Sequence, residues 1–303
     1  MIYTITLNPS IDFIVPVDQL KLGKLNYMND EYKVPGGKGI NVSRILQELS
    51  TSSTALGFIG GFTGKFIIDF LEKRNLKTDF ISVSEDTRIN IKLKSSEETE
   101  INGRGPSISN DKANKLLSQL EKITANDFVV MSGSKPPSLP TDFYEKAIKK
   151  VLAAGAQFAI DTTGDALMQS LAYQPLVIKP NKHELEELFG VSISTDEDVT
   201  KFGKKLLEKG AQHVIVSMGA DGAILITNNG IYKGTSPSGT LRNSVGAGDS
   251  MIAGFLSIYL KSQNVLEAFK MSISAGSATA FSYDLATRNK IDNLLSEIEV
   301  TIL

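Results

Sequence analysis

From residue 110 onward the chain alternates helical and extended patterns so regularly that a single architecture accounts for it. Apolar residues recur with helical spacing over 110–122, and an apolar extended run follows at 128–131. The pair is then repeated as helix 142–154 with strand 158–161, helix 166–172 with strand 176–178, and helices 182–189 and 197–209 with strand 213–216. Strands joined through helices run parallel, and the helices cover both faces of the sheet they make. Strand 3–7, the helical pattern Val42, Ile45, Leu46, Leu49, strand 54–59, helix 64–75 and strand 79–83 extend the scheme upstream. The predicted fold is therefore a three-layer α/β domain with a mostly parallel central sheet.

A few stretches fall outside that scheme. Residues 11–17 and 26–34 are extended, and Arg88 to Lys94 alternates strictly, with Ile89, Ile91 and Leu93 on one face and Arg88, Asn90, Lys92 and Lys94 on the other. After a turn at 95–98, residues 99–103 return as its partner. These pieces predict a small inserted sheet with one wet or ligand-facing side, a lid built from about 11–35 and 87–105. The chain reads as one domain, 1–303, with this appendage; its length lies at the upper edge for a single core.

Open parallel sheets gather ligands outside the carboxyl ends of their strands. Several small, polar loops fall there: Ser132-Gly133-Ser134, Lys179-Pro180-Asn181, and Ser217-Met218-Gly219-Ala220-Asp221-Gly222. A further loop, Ser244-Val245-Gly246-Ala247-Gly248-Asp249-Ser250, opens onto a helix marked by Ile252, Phe255, Leu256, Tyr259 and Leu260. Its backbone N–H groups can converge on an anion at the positive end of the helix dipole. Asp249 lies in the first turn, where a dipole-stabilised acid and a placed reactive carboxylate are both compatible with the position. Gly36-Gly37-Lys38-Gly39 precedes a second helix in the same way, and Asp12, between Ile11 and Phe13, either faces solvent from an edge or belongs to a site. The helical stretch 266–281, rich in Ser, Ala and Gly, suits close packing or a flat ligand.

Composition narrows the chemistry. There is no Cys, and the only His residues, His183 and His213, are far apart, so disulfides, thiolate nucleophiles and a His-based zinc site are excluded or disfavoured. A net charge of −2 with dispersed Lys and Arg argues against a nucleic-acid surface. No apolar run is long enough to span a bilayer, and Met1-Ile2-Tyr3-Thr4 enters a strand pattern without signal-peptide features, so the expected setting is cytoplasmic. Neither the Walker spacing nor the Gly-x-Gly-x-x-Gly dinucleotide fingerprint occurs, which disfavours a dehydrogenase.

Taken in order, Asn8-Pro9-Ser10-Ile11-Asp12, Gly36-Gly37-Lys38-Gly39-Ile40-Asn41, Asp86-Thr87-Arg88, Ser132-Gly133-Ser134, Lys179-Pro180-Asn181-Lys182-His183-Glu184, Ser217 to Gly222 and Val245 to Ser250 resemble the ribokinase-like, PfkB-type carbohydrate kinases over the whole chain. The hexose-phosphate branch is the most similar. The resemblance implies phosphoryl transfer from ATP with Mg²⁺, with Asp249 as base and the Gly246, Ala247 and Gly248 amides as anion hole. It further implies that Asp12, Gly36, Gly37, Lys38, Asn41, Arg88 and Ser134 hold the sugar phosphate. Lys179, Asn181, Ser217, Met218, Gly219, Ala220, Asp221, Gly222 and Gly248 would hold the nucleotide.

Asn181 and Glu184 would hold Mg²⁺ mainly through water, although their spacing is equally that of a helix capping box. The implied acceptor is fructose 1-phosphate, with tagatose 6-phosphate as the alternative and a catalytically silent sugar-phosphate-binding regulator as the reading from another class. Pairing of lids between subunits would make a homodimer. Arg104, which departs from the family pattern, is expected to be an exposed charge at the hairpin exit.

Overall fold

A computed structural model describes all residues, 1–303. The elements are β1 (Ile2–Thr6), β2 (Ser10–Pro16), β3 (Tyr32–Gly36), α1 (Lys38–Glu48), β4 (Ser53–Gly60), α2 (Gly61–Glu72), β5 (Lys77–Val83), β6 (Arg88–Lys94) and β7 (Glu98–Asn102). They continue as α3 (Asn110–Leu120), β8 (Phe128–Ser132), α4 (Phe143–Ala153), β9 (Gln157–Asp161), α5 (Gly164–Ser170), β10 (Val177–Ile178), α6 (Lys182–Phe189), α7 (Asp196–Glu208) and β11 (His213–Ser217). The chain closes with β12 (Ala223–Thr227), β13 (Gly230–Gly234), α8 (Ala247–Ser262), α9 (Val265–Ala280), α10 (Arg288–Leu295) and β14 (Val300–Ile302).

The large sheet has the order β14-β13-β12-β11-β10-β9-β8-β1-β4-β5. It is parallel from β5 to β11 and antiparallel beyond. Its strands read as continuous apolar runs because both faces are buried. Val129, Met131, Val214, Val216, Ile224 and Ile226 pack with the helices on one side, α3 to α7 among them. Phe128, Val130, Ile215 and Leu225 pack with α1, α8, α9 and α10 on the other. Small residues let α8 and α9 approach closely: a Cβ on Gly254 of α8 would lie 2.5 Å from the Met271 carbonyl oxygen, and one on Gly276 of α9 would lie 2.5 Å from Met251 Cγ.

The second sheet, β3-β2-β6-β7, matches the expected insertion, with differences. Of the extended segment read over 26–34, only the end joins the sheet, as β3; residues 26–31 form no strand. The polar face of β6 also turns out to be the covered one. Asn90 is buried against Asp12 and Ser10, whereas Ile89 is 41% and Ile101 58% exposed. Polar residues line the cleft below this sheet, and apolar ones face outward. The antiparallel extension β12 to β14 and helix α10 were not read in the sequence. The run Ile224-Leu225-Ile226-Thr227-Asn228-Asn229-Gly230-Ile231-Tyr232 carried a hairpin signal of apolar stretches around a short polar turn.

One core residue gives a testable pH dependence. His213, at the start of β11, packs against the rings of Phe255 and Tyr259 at centroid distances of 5.7 and 5.0 Å, and its Nδ1 has no partner. Burial pushes its pKa down to about 4. The unfolded chain, titrating near 6.5, therefore binds a proton that the folded chain refuses, so stability falls as pH drops through 6.5 towards 4. Taken as the difference between the parent and His213→Phe, in which the other titrating groups cancel, urea unfolding at pH 7.5 and pH 5 should show roughly 1–2 kcal/mol of that loss, after allowance for partial exposure.

Candidate active site

The helix α8 opens at Gly246, which adopts φ 81° and so takes the left-handed turn that Gly tolerates best. A Cβ there would also lie 2.5 Å from Leu285 Cδ2. Of the amides expected to face an anion, that of Ala247 donates to the Ser244 carbonyl at 3.3 Å. Those of Gly246, Gly248 and the following Asp249 make no backbone hydrogen bond. The helix N-terminus is thus open, as an anion site requires.

Asp249 does not behave as a helix-start acid. It is 5% exposed, and its Oδ2 accepts from Asn41 Nδ2 of α1 at 2.8 Å. Burial and the nearby Asp161 push its pKa up to about 6, against the opposing pull of Lys38, Asn41 and Lys179. A carboxyl tuned to that range suits general-base work near neutral pH.

Asp161 was not singled out in the sequence, although it is a lone carboxylate at the carboxyl end of an apolar strand. It accepts from Lys38 Nζ at 3.1 Å. Burial would raise its pKa, but Lys38 and Lys179 outweigh this and hold it below the usual carboxylate range. For Lys38 burial works in the other direction; Asp161, Asp249 and Glu184 overcome it and hold the ammonium firmly charged. Lys179 is 5% exposed and forms no ion pair. A Cβ on Gly248 would lie 2.7 Å from its Nζ, so this buried cation rests against the open helix end.

On the lid side, Asp12 Oδ1 accepts from Ser10 Oγ at 2.8 Å and from Asn90 Nδ2 at 3.0 Å. Gly36 is needed at its position because a Cβ would overlap this carboxylate at 2.4 Å. Arg88 reaches the cleft, but part of its fork is engaged: Nε and Nη2 donate to the Asn8 carbonyl at 3.1 and 2.9 Å, and Nη1 to that of Gly103 at 3.0 Å. Two of its five N–H groups stay available. Gly133, beside Ser134, is held by Tyr144 Oη donating to its carbonyl at 2.6 Å. Arg104 is exposed, as expected.

Asp12, Gly37, Lys38, Asn41, Arg88, Ser134, Lys179, Asn181, Glu184, Gly246, Gly248 and Asp249 all line one cleft of about 530 Å³. Also in its wall are Asn90 and Lys92, from the strand face read as wet or ligand-facing, together with Thr6, Asn8, Glu100 and Asp161, for which no site role was read in the sequence. Asn181 and Glu184 do form the capping box: Glu184 N donates to Asn181 Oδ1 and Asn181 N to Glu184 Oε2, both at 2.8 Å. Each keeps one polar atom for the cleft. A second cavity of about 660 Å³ lies across the α8 N-terminus, lined by Ser217, Gly219, Ala220 and Gly222 and floored by Gly276 and Ser277. Met218 and Asp221 do not line either cavity; Met218 packs on the core and Asp221 is exposed.

A polar, charge-rich cleft and a less polar one meet at an open helix N-terminus beside a buried carboxylate, an arrangement suited to group transfer. The family model for pfkB carbohydrate kinases matches residues 3–291. The chain is 50% identical to the 1-phosphofructokinase of Bacillus subtilis, over all of both chains. It is 36% identical to the D-tagatose-1-phosphate kinase of Bacillus licheniformis, again over all of both. Among solved structures, phosphofructokinase-2 from Escherichia coli, in complex with substrates and products, superposes with a TM-score of 0.92 at 27% identity over 98% of each chain. Ribokinase from Arabidopsis thaliana shares the fold, with a TM-score of 0.78 at 19% identity over 97% of this chain and 98% of that one. The chain belongs to the pfkB family of carbohydrate kinases, and its fold is ribokinase-like.

Proposed function

We propose that this chain transfers the γ-phosphoryl group of ATP to the C6 hydroxyl of fructose 1-phosphate, giving fructose 1,6-bisphosphate and ADP. The observation that carries the reading is Asp249, a buried carboxylate with one oxygen free of protein partners, at the mouth of a helix whose amides are open. Asp249 takes the hydroxyl proton as that oxygen attacks the γ-phosphorus and the bond to ADP breaks. The Gly246, Gly248 and Asp249 amides, with Lys179, receive the charge spread over the transferring oxygens. Asp12, Lys38, Asn41 and Ser134 hold the sugar phosphate, and the second cavity takes the adenosine end of ATP. No group of three or more carboxylate or His side chains is poised to cage a metal. Glu184 Oε1, left free by the capping box, fits Mg²⁺ held through water, its usual mode, and the remaining Asn181 Nδ2, a donor, fits a phosphate oxygen beside it; once bound, the ion would neutralise and orient the β- and γ-phosphates.

The relatives' names support this choice of sugar end. Both place the resident phosphate on carbon 1, which favours D-tagatose 1-phosphate over tagatose 6-phosphate as the second acceptor. An ADP-release assay with MgATP, comparing kcat/KM for both 1-phosphates, tagatose 6-phosphate and fructose 6-phosphate, tests it. Fructose 1-phosphate should lead by tenfold or more, about 1.4 kcal/mol of transition-state preference; a lead by another sugar would replace the assignment.

Arg88 supports the reading with a distinct signature. Arg88→Ala should raise KM for the sugar phosphate at least tenfold and that for ATP far less; equal rises would mean that its clamp on Asn8 and Gly103 is its whole contribution. The β2, β3, β6 and β7 sheet acts as the lid that excludes water. Its outward apolar face, with Ile89 and Ile101, supports a homodimer formed lid to lid; sedimentation as a monomer at micromolar concentration would remove that assignment.

A further inference from the structure

The first turn of α8 departs from the chain's own habit. In α6 and α7 the acid at the third helical position folds back to accept from the N-cap amide, Glu184 from Asn181 and Asp198 from Thr195. Asp249 holds the same third position of α8, yet its recorded bond is to Asn41, on a different helix. Asp12, across the cleft, is arranged alike: both of its donors, Ser10 and Asn90, meet Oδ1, and Oδ2 is left open.

We propose that Asn41 is a positioning residue for the base: by donating to Asp249 Oδ2 it turns the carboxylate away from its own helix amides and presents Oδ1 to the acceptor hydroxyl. This rests on the reading of Asp249 as base. The consequence is a division of labour within one helical turn. The α8 amides stay free for the transferring phosphoryl group, and the carboxylate stays free for the proton.

Asn41 lies three residues after Lys38 on α1, so one helix turn reaches two of the cleft carboxylates, Lys38 to Asp161 and Asn41 to Asp249. The charged groups that bear on Asp249 are Asp161 of β9, Lys38 of α1 and Lys179 after β10. None of them supplies the directional donor that Asn41 does.

The test compares Asn41→Ala, which removes the donor, with Asn41→Asp, which keeps the shape but replaces the donor by an acceptor. Both should lower kcat at pH 8.5 by roughly tenfold or more while KM for ATP stays within about threefold. The acid limb of the kcat profile should move to higher pH, further for Asn41→Asp than for Asn41→Ala. A rise in KM for the sugar phosphate with kcat and the acid limb unmoved would overturn the proposal and leave Asn41 as a sugar contact alone. Asp249→Asn, run alongside, separates the two layers. Full turnover there would defeat the base itself, whereas an inactive Asp249→Asn with an unmoved limb in both Asn41 variants would defeat only the positioning role. Thermal unfolding of each variant, expected within a few degrees of the parent, keeps folding defects out of the comparison.

Discussion

Asp249→Asn is expected to lower kcat by roughly a thousandfold, within the range that general-base catalysis supplies, while leaving both KM values within a few-fold. The substitution keeps the shape of the side chain and, by flipping its amide, the bond to Asn41; what it removes is the capacity to accept a proton. Burial and the Asp161 charge hold the Asp249 carboxyl near 6. Because the base acts only when ionised, activity should fall as pH drops through about 6 and level off above it. Steady-state kinetics from pH 5 to 8.5 measures both effects. Retention of more than a tenth of the parent kcat in Asp249→Asn would remove the assignment.

Gly248→Ala is expected to lower kcat by about a hundredfold with little change in thermal stability. Gly248 sits in ordinary helical backbone, so the added methyl introduces no strain of its own. It would instead lie 2.7 Å from Lys179 Nζ and 2.9 Å from Lys179 Cε, the flexible end of a side chain that can swing away. The methyl then occupies the space where transferring oxygens meet the open amides, and the ammonium leaves it. Gly246→Ala provides the contrast. At φ 81° and with Leu285 at 2.5 Å, it should lower Tm by several degrees in addition to activity. Kinetics paired with thermal unfolding distinguishes the two; a large Tm loss in Gly248→Ala would show that its role is structural.

Much of this was legible in the chain because it is encoded locally. Helix and strand periodicity, glycine-marked turns and the small polar loops after strands are short-range patterns, and they led directly to the parallel sheet, the inserted lid and the loop at Gly246 to Asp249. What escaped had weak local signals or depended on distant partners. Asp161 sits in an apolar strand and acquires meaning only when α1 brings Lys38 within 3.1 Å. The alternation of β6 was plain, but not which face is covered, since period two is symmetric until the cleft below it exists. Arg88 was expected as a phosphate ligand; its bonds to Asn8 and Gly103 arise from residues 80 and 15 positions away.

The sequence by itself determined the fold class, the order of the elements and the inventory of reactive groups, because these follow from side-chain spacing and from residue types such as Gly and Asp at helix starts. Only the tertiary structure decided what Asp249 is. An acid at the third helical position closes onto its own N-cap amide, as Asp198 does, or is held by a distant donor, as Asp249 is by Asn41, 208 residues away, with its other oxygen left open to the cleft. That choice is made by packing, which removes water from the carboxylate and fixes the one donor it can reach.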